Sequence, residues 1–339
     1  MVDSIVRVGV IGAGVMGTDH AQLLHGFVSG ATVTTVADID SRRASELAAS
    51  LAGVRVSTDA LALIADPLVD AVVIASHDTT HAELTLAAVE AGKPVLCEKP
   101  LAPTIEECLE IVRRDHDRVR AGKTALVSVG FMRRFDPSYV DLKALTASGE
   151  LGTPLLMHCA SRGVTSGPGA TSEFSITGSA IHELDIVPWL LDSPIVEVSW
   201  HAPRSTALAP ALQDPQVMLL RTADGVLTTV ETFLNARYGY DIACEIVGET
   251  AAAAMNNPAT TVVDAAGRTG SAYPADWRPR FRDAYRLELQ AWITALRTGA
   301  PSPLASALDG LTATAVAMAA IQSMNSSGAT VAVTLPELV

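Results

Sequence analysis

Residues Val6 to Gly17 read V-R-V-G-V-I-G-A-G-V-M-G. The β-branched run before Gly12 predicts a strand, and the segment Thr18–His25 that follows predicts a helix. Gly12 permits a tight turn, Gly14 lets the backbone approach a pyrophosphate, and Gly17 lets the helix pack closely on the strand. The helix N-terminus adds free N–H groups and a partial positive charge. The pattern therefore predicts a dinucleotide site rather than an ordinary glycine-rich turn.

An acidic residue follows at the distance that such a site requires. Asp38 lies 21 residues after Gly17, at the end of a second predicted strand, Thr32–Ala37. A carboxylate there accepts the ribose hydroxyls of adenosine and repels a 2′-phosphate, which favours NAD over NADP. Arg42 and Arg43 follow closely, so some use of NADP stays open as an alternative.

Up to about residue 125 the sequence alternates between short apolar runs and helical segments. Further strands are predicted at Val54–Ser57, Ala71–Ser76, Pro94–Glu98 and Ala125–Val129. Repeated β-α-β units predict a doubly wound parallel sheet, a Rossmann fold. We therefore expect residues 1–125 to form an NAD-binding domain in an α/β protein.

The pattern changes after about residue 135. Runs with period-two apolar character and hairpin-like turns predict strands at Leu155–Ser161, Val196–His201, Val217–Thr222, Val226–Phe233, Tyr240–Val247 and Thr260–Val263. Helices are predicted around His182, at Phe281–Thr298 and near Ala305–Met324. We expect residues 126–339 to form a second domain with a largely antiparallel sheet, one face of which is covered while the other can bind a partner.

Composition limits the classes of function. The chain has 339 residues, enough for two domains, and 49% of them are hydrophobic and 18% charged. The net charge of −13 and the pI of about 5.0 argue against nucleic acid and anionic membranes as partners. The four cysteines show neither CxxC pairs nor metal-like spacing, so free thiols and no metal are expected. Without a signal-peptide pattern or a membrane-length apolar span, the expected location is the cytoplasm.

Polar residues follow three of the predicted parallel strands, where ligands of doubly wound sheets bind. The ammonium of Lys99 can orient an alcohol oxygen beside a nicotinamide or relay its proton, and the alternative is a surface lysine in a loop. The residues at these strand ends are Ser76, His77, His81, Glu98, Lys99, Met132 and Arg133.

Two further groups in the second domain can handle a hydroxyl. His182 and Asp185 share one face of a helix, so the histidine can accept a proton while the aspartate orients it or binds a second hydroxyl. The alternative is a solvated pair. Tyr238 and Tyr240 alternate along a predicted strand, so both are expected on one side, either against a polyol or as structural packing.

Together these residues resemble the Gfo/Idh/MocA oxidoreductases over nearly the whole chain, and within that family the bacterial myo-inositol dehydrogenases. The motifs that carry the resemblance are Gly12-x-Gly14-x-x-Gly17, Asp38, His81, Glu98-Lys99-Pro100, Gly130 to Asp136, His182-x-x-Asp185, Tyr238-Gly-Tyr240, Cys244 to Glu249 and Trp277-x-x-Arg280-Phe281.

The resemblance implies NAD-dependent oxidation of a secondary hydroxyl of a cyclitol or sugar to a ketone, in a homotetramer. It also implies that residues 126–339 form an α/β domain for substrate binding and oligomerisation, with an open, mainly antiparallel sheet. Lys99 and His182 would be catalytic, and Pro100 would follow a cis bond. The implied substrate-binding residues are Lys99, Arg133, His182, Asp185, Tyr238 and Tyr240. The implied cofactor-binding residues are Gly12, Gly14, Val15, Met16, Asp38, Ser76, His77, His81, Glu98, Lys99 and Met132.

Three positions depart from the inositol-dehydrogenase pattern. Gly178 stands where that subgroup has an aspartate four residues before the histidine, and Ser161 and Gly163 replace a histidine and an asparagine. Shorter side chains predict an enlarged pocket that favours a bulkier substrate, such as an amino-sugar, over myo-inositol. The alternatives are a biosynthetic dehydrogenase of an aminocyclitol or aminoglycoside pseudosaccharide, and a nicotinamide-binding regulator with impaired catalysis.

Overall fold

The computed structural model describes residues 5–256 and 261–337, and the chain divides into two compact units. The first unit comprises the chain up to Met132, the segment Asp283–Thr314 and the C-terminal residues from Pro336. The second unit comprises Arg133–Arg282 and Ala315–Leu335.

The first unit contains a seven-stranded sheet whose six longer strands are parallel. These strands are β1 (Val6–Ile11), β2 (Ala31–Ala37), β3 (Arg55–Ser57), β4 (Ala71–Ile74), β5 (Val95–Glu98) and β6 (Val127–Gly130). Their order is β3-β2-β1-β4-β5-β6, with the antiparallel edge strand Ala305–Ser306 beside β6. This is the Rossmann order, which confirms the predicted parallel sheet and places its switch point between β1 and β4.

Helices connect these strands and pack on the sheet. They are α1 (Val15–Gly26), α2 (Ser41–Ala49), α3 (Ala60–Ala65), α4 (His81–Glu90) and α5 (Ile105–Arg120). The start of α5 shows a complete capping box, in which Thr104 and Glu107 bond each other's backbone N–H groups. Every residue of β4 and β5 is buried, as expected for strands covered on both faces.

The second unit contains another seven-stranded sheet. Its longer strands are β7 (Pro154–Arg162), β8 (Ile195–His201), β9 (Gln216–Thr222), β10 (Leu227–Phe233), β11 (Asp241–Gly248) and β12 (Ala252–Ala254). The order is β12-β11-β7-β10-β9-β8 followed by Val331–Ala332, and every pair except β7 with β10 is antiparallel. The prediction of a mainly antiparallel sheet is confirmed.

Burial alternates along β10, so one face of this second sheet is covered. The helices of the second unit are α6 (Pro137–Ser148), the single turn α7 (Ser172–Phe174) and α8 (Ile181–Leu191). Residues Ser175–Ala180, directly before α8, form a π-helical turn. Helices α9 (Trp277–Thr298) and α10 (Ala307–Asn325) contribute residues to both units, and a small hairpin joins β13 (Val263–Ala265) to β14 (Arg268–Gly270).

Several boundaries differ from the sequence predictions. The expected division after residue 125 separates β6 and the segment Asp283–Thr314 from the first unit, whereas the structure packs both with it. The strand expected from Tyr240 begins at Asp241. The predicted strand Thr260–Val263 starts outside the described residues, and the structure begins a strand at Val263. No helix in the described part is long and apolar enough to cross a membrane.

Candidate active site

The turn after β1 shows why glycine is needed at two positions. Gly12 has a φ of +97°, and a Cβ there would lie 2.5 Å from the carbonyl oxygen of Ala75. A Cβ at Gly17 would lie 1.8 Å from the carbonyl oxygen of Gly12, so the close approach of α1 to the turn requires glycine. A Cβ at Gly14, the N-cap of α1, would meet nothing within 4 Å. The helix start is therefore open to a phosphate on the side of Gly14.

The carboxylate of Asp38 is fixed by two backbone N–H groups. Its Oδ2 accepts from Ala13 at 2.7 Å and its Oδ1 accepts from Asp40 at 2.8 Å. Asp38 lines a cavity of about 600 Å³ together with Gly12, Arg43, Ser76 and other residues of the first unit. An anchored carboxylate in a cavity at the switch point of the sheet is suited to the ribose of adenosine.

These features fit NAD. The open backbone at Gly14 and the first N–H groups of α1, at Val15 and Met16, would hold the pyrophosphate, and Asp38 would bind the ribose hydroxyls. Val15 is 61% exposed, so this end of the helix is accessible.

The residues after β4 have different surroundings from one another. Ser76 and His77 both line the 600 Å³ cavity, and the exposed His77 ring has its Nδ1 2.8 Å from Asp78 Oδ1. His81 is 2% exposed, and its ring nitrogens face the carbonyl oxygens of Pro100 and Ser76. The ring of His81 thus contacts backbone, whereas the sequence places this residue against the cofactor.

Glu98 is also buried and bonded within the protein. Its Oε1 accepts from His20 Nε2 at 2.6 Å, and its Oε2 accepts from the backbone N–H of Lys99 at 3.2 Å. Burial opposes ionisation, but the hydrogen bond and charge of His20 and the charge of Lys99 outweigh it and hold the pKa of Glu98 below its usual range. The carboxylate thus lies ionised behind Lys99. The cis bond between Lys99 and Pro100 is confirmed.

In the second unit, the charged residues that follow β6 all form ion pairs. Arg133 pairs with Glu183, and Arg134 binds Asp185 through two contacts, Nε to Oδ2 at 3.0 Å and Nη2 to Oδ1 at 2.5 Å. Asp136 pairs with Arg280 at 2.6 Å. These pairs connect the start of the unit to α8 and to the first turn of α9.

Arg133 is 1% exposed, and its guanidinium also packs near the rings of Tyr139 and Phe281. Burial would lower the pKa of Arg133, but the charge of Glu183 outweighs it and keeps the pKa well above its usual value. The expected contact of Arg133 with the substrate stays a prediction beside this buried ion pair. The sequence analysis gave no role to Arg134, and the only signal was its place in the charged motif Gly130 to Asp136.

His182 lies on the first turn of α8 and is 9% exposed. The structure corrects the space predicted at Gly178, because a Cβ there would lie 2.5 Å from the ring of Phe174. The aromatic ring thus occupies the place expected to be vacant. The turn Ser175–Ala180 is also π-helical, so the four-residue spacing of an α-helix does not describe how Gly178 relates to His182.

A second cavity, of about 430 Å³, lies within the second unit. Several hydroxyl groups, one carboxylate and one indole line this cavity. The polar and aromatic residues are Ser161, Thr165, Ser179, Tyr240, Asp276 and Trp277. Asp276 is held by Arg278, with Nε at 3.1 Å from Oδ2. Hydroxyls at several positions of a concave surface suit a polyol.

The two tyrosines predicted on one side of a strand do not share a face. Both lie before β11, and Tyr240 lines the cavity with its ring edge-on to Phe281. Tyr238 instead packs against Tyr273 and donates its hydroxyl to Asp241 at 2.5 Å. The glycine between them has a φ of +147°, which ends the regular alternation.

Comparison with known proteins agrees with this architecture. Residues 6–124 match the model of the Gfo/Idh/MocA oxidoreductase family with an NAD-binding Rossmann fold, and residues 139–254 match the model of the Gfo/Idh/MocA C-terminal domain. The chain belongs to the Gfo/Idh/MocA oxidoreductase family. This confirms the predicted family, the fold class and NAD as the cofactor.

Named relatives and solved structures cover almost the whole chain. It is 55% identical to inositol 2-dehydrogenase 2 of Paenarthrobacter aurescens (strain TC1), over 96% of this chain and 98% of the relative. It is 51% identical to inositol 2-dehydrogenase 1 of Saccharopolyspora erythraea, over 94% and 93%. The crystal structure of myo-inositol dehydrogenase from Lactobacillus casei with NAD(H) and myo-inositol superposes with a TM-score of 0.93 at 32% identity, over 98% of both chains.

Among the described residues, no group of three or more His, Cys, Asp and Glu side chains is arranged to hold a metal ion.

Proposed function

We propose that the protein is an NAD-dependent dehydrogenase that oxidises a secondary hydroxyl of an inositol-type cyclitol to a ketone. The observation that carries the substrate class is the 430 Å³ cavity lined by Ser161, Thr165, Ser179 and Tyr240. Full-length similarity to enzymes named inositol 2-dehydrogenases supports it.

The nicotinamide of bound NAD accepts the hydride, so the chain has to take the hydroxyl proton. We assign this proton to His182, whose unperturbed pKa lies near ~6.5, close to the pH at which a base is needed. We assign to Lys99 the orientation of the hydroxyl oxygen and a share in proton relay. The ionised carboxylate of Glu98 favours the charged form of Lys99.

Asp185 is the proposed ligand of a second substrate hydroxyl. Arg134 binds both of its oxygens, and a carboxylate oxygen can accept more than one hydrogen bond, so a substrate O–H can bind beside the guanidinium. The neighbouring carboxylate, Glu183, pairs with Arg133. Arginine therefore neutralises both acids on this turn. This arrangement supports a larger share of the proton transfer for Lys99 than it would have in a protein with an aspartate at position 178.

The aminocyclitol and aminoglycoside alternatives are less favoured. The one carboxylate among the residues that line the described cavity is Asp276, which Arg278 already neutralises. A substrate ammonium would have to compete with that guanidinium.

We also propose a homotetramer that uses the exposed face of the second sheet. Apolar side chains on this face are only partly covered within the chain, among them Val217, Leu219 and Phe233. An open antiparallel sheet of this kind is suited to binding a second copy.

The decisive experiment is a substrate screen that follows formation of reduced cofactor. It compares myo-inositol and scyllo-inositol with aminocyclitols and aminoglycosides. We expect an inositol to give the highest kcat/KM and a ketone product of the same carbon skeleton. Turnover of an aminocyclitol but of no inositol would overturn the proposal.

Thr165→Val, which keeps the side-chain shape and removes one hydroxyl from the cavity, should raise KM for the inositol without changing NAD affinity.

A further inference from the structure

The ring of His81 is bound at both nitrogens by backbone carbonyl groups. Nδ1 lies 2.7 Å from the carbonyl oxygen of Pro100, and Nε2 lies 3.2 Å from that of Ser76. The side chain is 2% exposed, so water does not replace either partner. Ser76 follows β4 and Pro100 follows β5, and His81 is the first residue of α4.

Two carbonyl oxygens can only accept hydrogen bonds. A neutral imidazole has one N–H donor and one lone pair, so one of the two contacts would set a nitrogen lone pair against an oxygen lone pair. The imidazolium has two N–H donors and satisfies both carbonyls. The geometry therefore selects the charged ring.

We propose that His81 is a positioning residue that keeps both ring protons at neutral pH and ties the carbonyl of Ser76 to that of Pro100. The strand ends that carry the NAD cavity and Lys99 are thereby held in one arrangement. This assignment concerns the first unit alone and does not depend on which polyol is oxidised.

The charges around the ring support this state. Burial would lower the pKa of His81, but the side-chain contact with Cys97 on β5 and the two carbonyls outweigh it and raise the pKa to about 9. At the end of β4, His77 and Asp78 pair with each other. On α4 itself, Glu83 lines the NAD cavity.

Loss of a proton from His81 would release one of the two strand ends. Ser76 lines the NAD cavity, so its displacement should weaken NAD binding. Pro100 directly follows Lys99, so its displacement should misplace the ammonium and lower kcat. If His81 served only for packing, neither NAD affinity nor kcat would depend on the protonation of its ring.

NMR of the wild-type protein with ring-labelled histidine tests the protonation state directly. At about pH 8, where an ordinary histidine is neutral, we expect the His81 ring to give an imidazolium signal. That signal should vanish in His81→Gln and persist in the matched control His77→Gln, which alters an exposed histidine at the same strand end. A neutral His81 ring at this pH would overturn the proposal, even if His81→Gln does not fold.

Calorimetric NAD binding across pH tests the positioning role. At neutral pH we expect His81→Gln to bind NAD about tenfold more weakly, because a charge-assisted hydrogen bond is lost. The NAD affinity of the wild type should fall towards that of His81→Gln above about pH 9, while the affinity of His81→Gln should not change with pH. Lys99→Ala should retain the wild-type pH dependence, which separates His81 from the titration of Lys99. Equal affinity and equal pH dependence in wild type and His81→Gln would contradict the inference.

Discussion

Asp38 is the side chain from which we expect a preference for NAD over NADP. Its two oxygens are held by backbone N–H groups of Ala13 and Asp40, so the carboxylate cannot easily turn away from a bound ribose. A 2′-phosphate at that place would meet a fixed negative charge. The spacing from Gly17 predicted the residue, whereas the two anchoring bonds became visible only in the folded chain.

We expect Asp38→Ser to narrow the preference for NAD over NADP by at least about tenfold, because the repulsion of the 2′-phosphate is removed. Calorimetric titration with both cofactors measures this ratio. Asp40→Ser is the matched control, since Asp40 caps α2 and serine can also serve as a cap. Tighter binding of NADP than of NAD by the wild type would contradict the assignment.

We expect Lys99→Ala to reduce turnover by about a hundredfold or more, in line with the loss of a proton-transfer group, while NAD affinity changes little. Steady-state kinetics and calorimetry separate the two quantities. Lys123→Ala, which changes an exposed lysine after α5, should leave both unchanged. Near-normal turnover of Lys99→Ala would show that the lysine has a structural role.

At the scale of elements, the π-helical turn Ser175–Ala180 changes the helical spacing directly before His182. The wider winding alters which side chains precede the histidine on its face, and Phe174 packs over Gly178. A glycine in the sequence therefore does not mean an empty volume in the site. In the first unit, the local feature that shapes the proposed site is the pair of strand ends after β4 and β5, which His81 connects.

We expect Gly178→Asp alone to lower the free energy of unfolding by about 1–3 kcal/mol, because the new Cβ collides with the ring of Phe174. The double variant Gly178→Asp with Phe174→Ala should recover most of this loss. Thermal or denaturant unfolding measures the difference, and Gly167→Asp is the control because a Cβ there meets nothing within 4 Å. Full stability of the single variant would show that the ring moves aside without cost.

The protonated state of His81 should also stabilise the folded protein in a pH-dependent way. Its pKa is raised to about 9, so the stabilisation is fully present below the ordinary value of 6.5 and is lost as pH rises through about 9. This shift in pKa corresponds to a contribution of about 3 kcal/mol at most to the free energy of unfolding. We expect the difference in melting temperature between wild type and His81→Gln to shrink between about pH 7 and pH 10. A constant difference would contradict this coupling.

At the scale of the whole molecule, each unit keeps the residues for its own task on one sheet. The first unit gathers the glycine turn, Asp38 and the strand ends at the NAD cavity. The second unit encloses the hydroxyl-lined cavity and leaves one face of its sheet partly uncovered. This partly uncovered face is the one that we propose for assembly.

We expect Leu219→Asp to convert a tetramer into smaller species, because a charge placed in an apolar interface is not compensated. Light scattering coupled to size-exclusion chromatography measures the mass of wild type and variant. Val119→Asp, on the exposed side of α5, is the control. A wild-type protein that is monomeric over a range of concentrations would rule out the homotetramer.

Local patterns in the sequence were sufficient to predict the parallel Rossmann sheet, NAD as the cofactor and the mainly antiparallel second sheet. Each depends on short-range properties: the glycine conformations at Gly12, the spacing to Asp38 and the period-two alternation along strands. The cis bond before Pro100 followed from the family resemblance alone.

Contacts between residues far apart in the chain were decided only by the tertiary structure. Arg133 and Arg134 meet Glu183 and Asp185 across about fifty positions of sequence, so no local pattern could assign these pairs. Phe174 and Gly178 are only four residues apart, but the ring position that fills the space at Gly178 is visible only in the folded chain. The partners of His81 are backbone carbonyls, which every residue carries, and only the pairing of parallel strands places two of them against one ring.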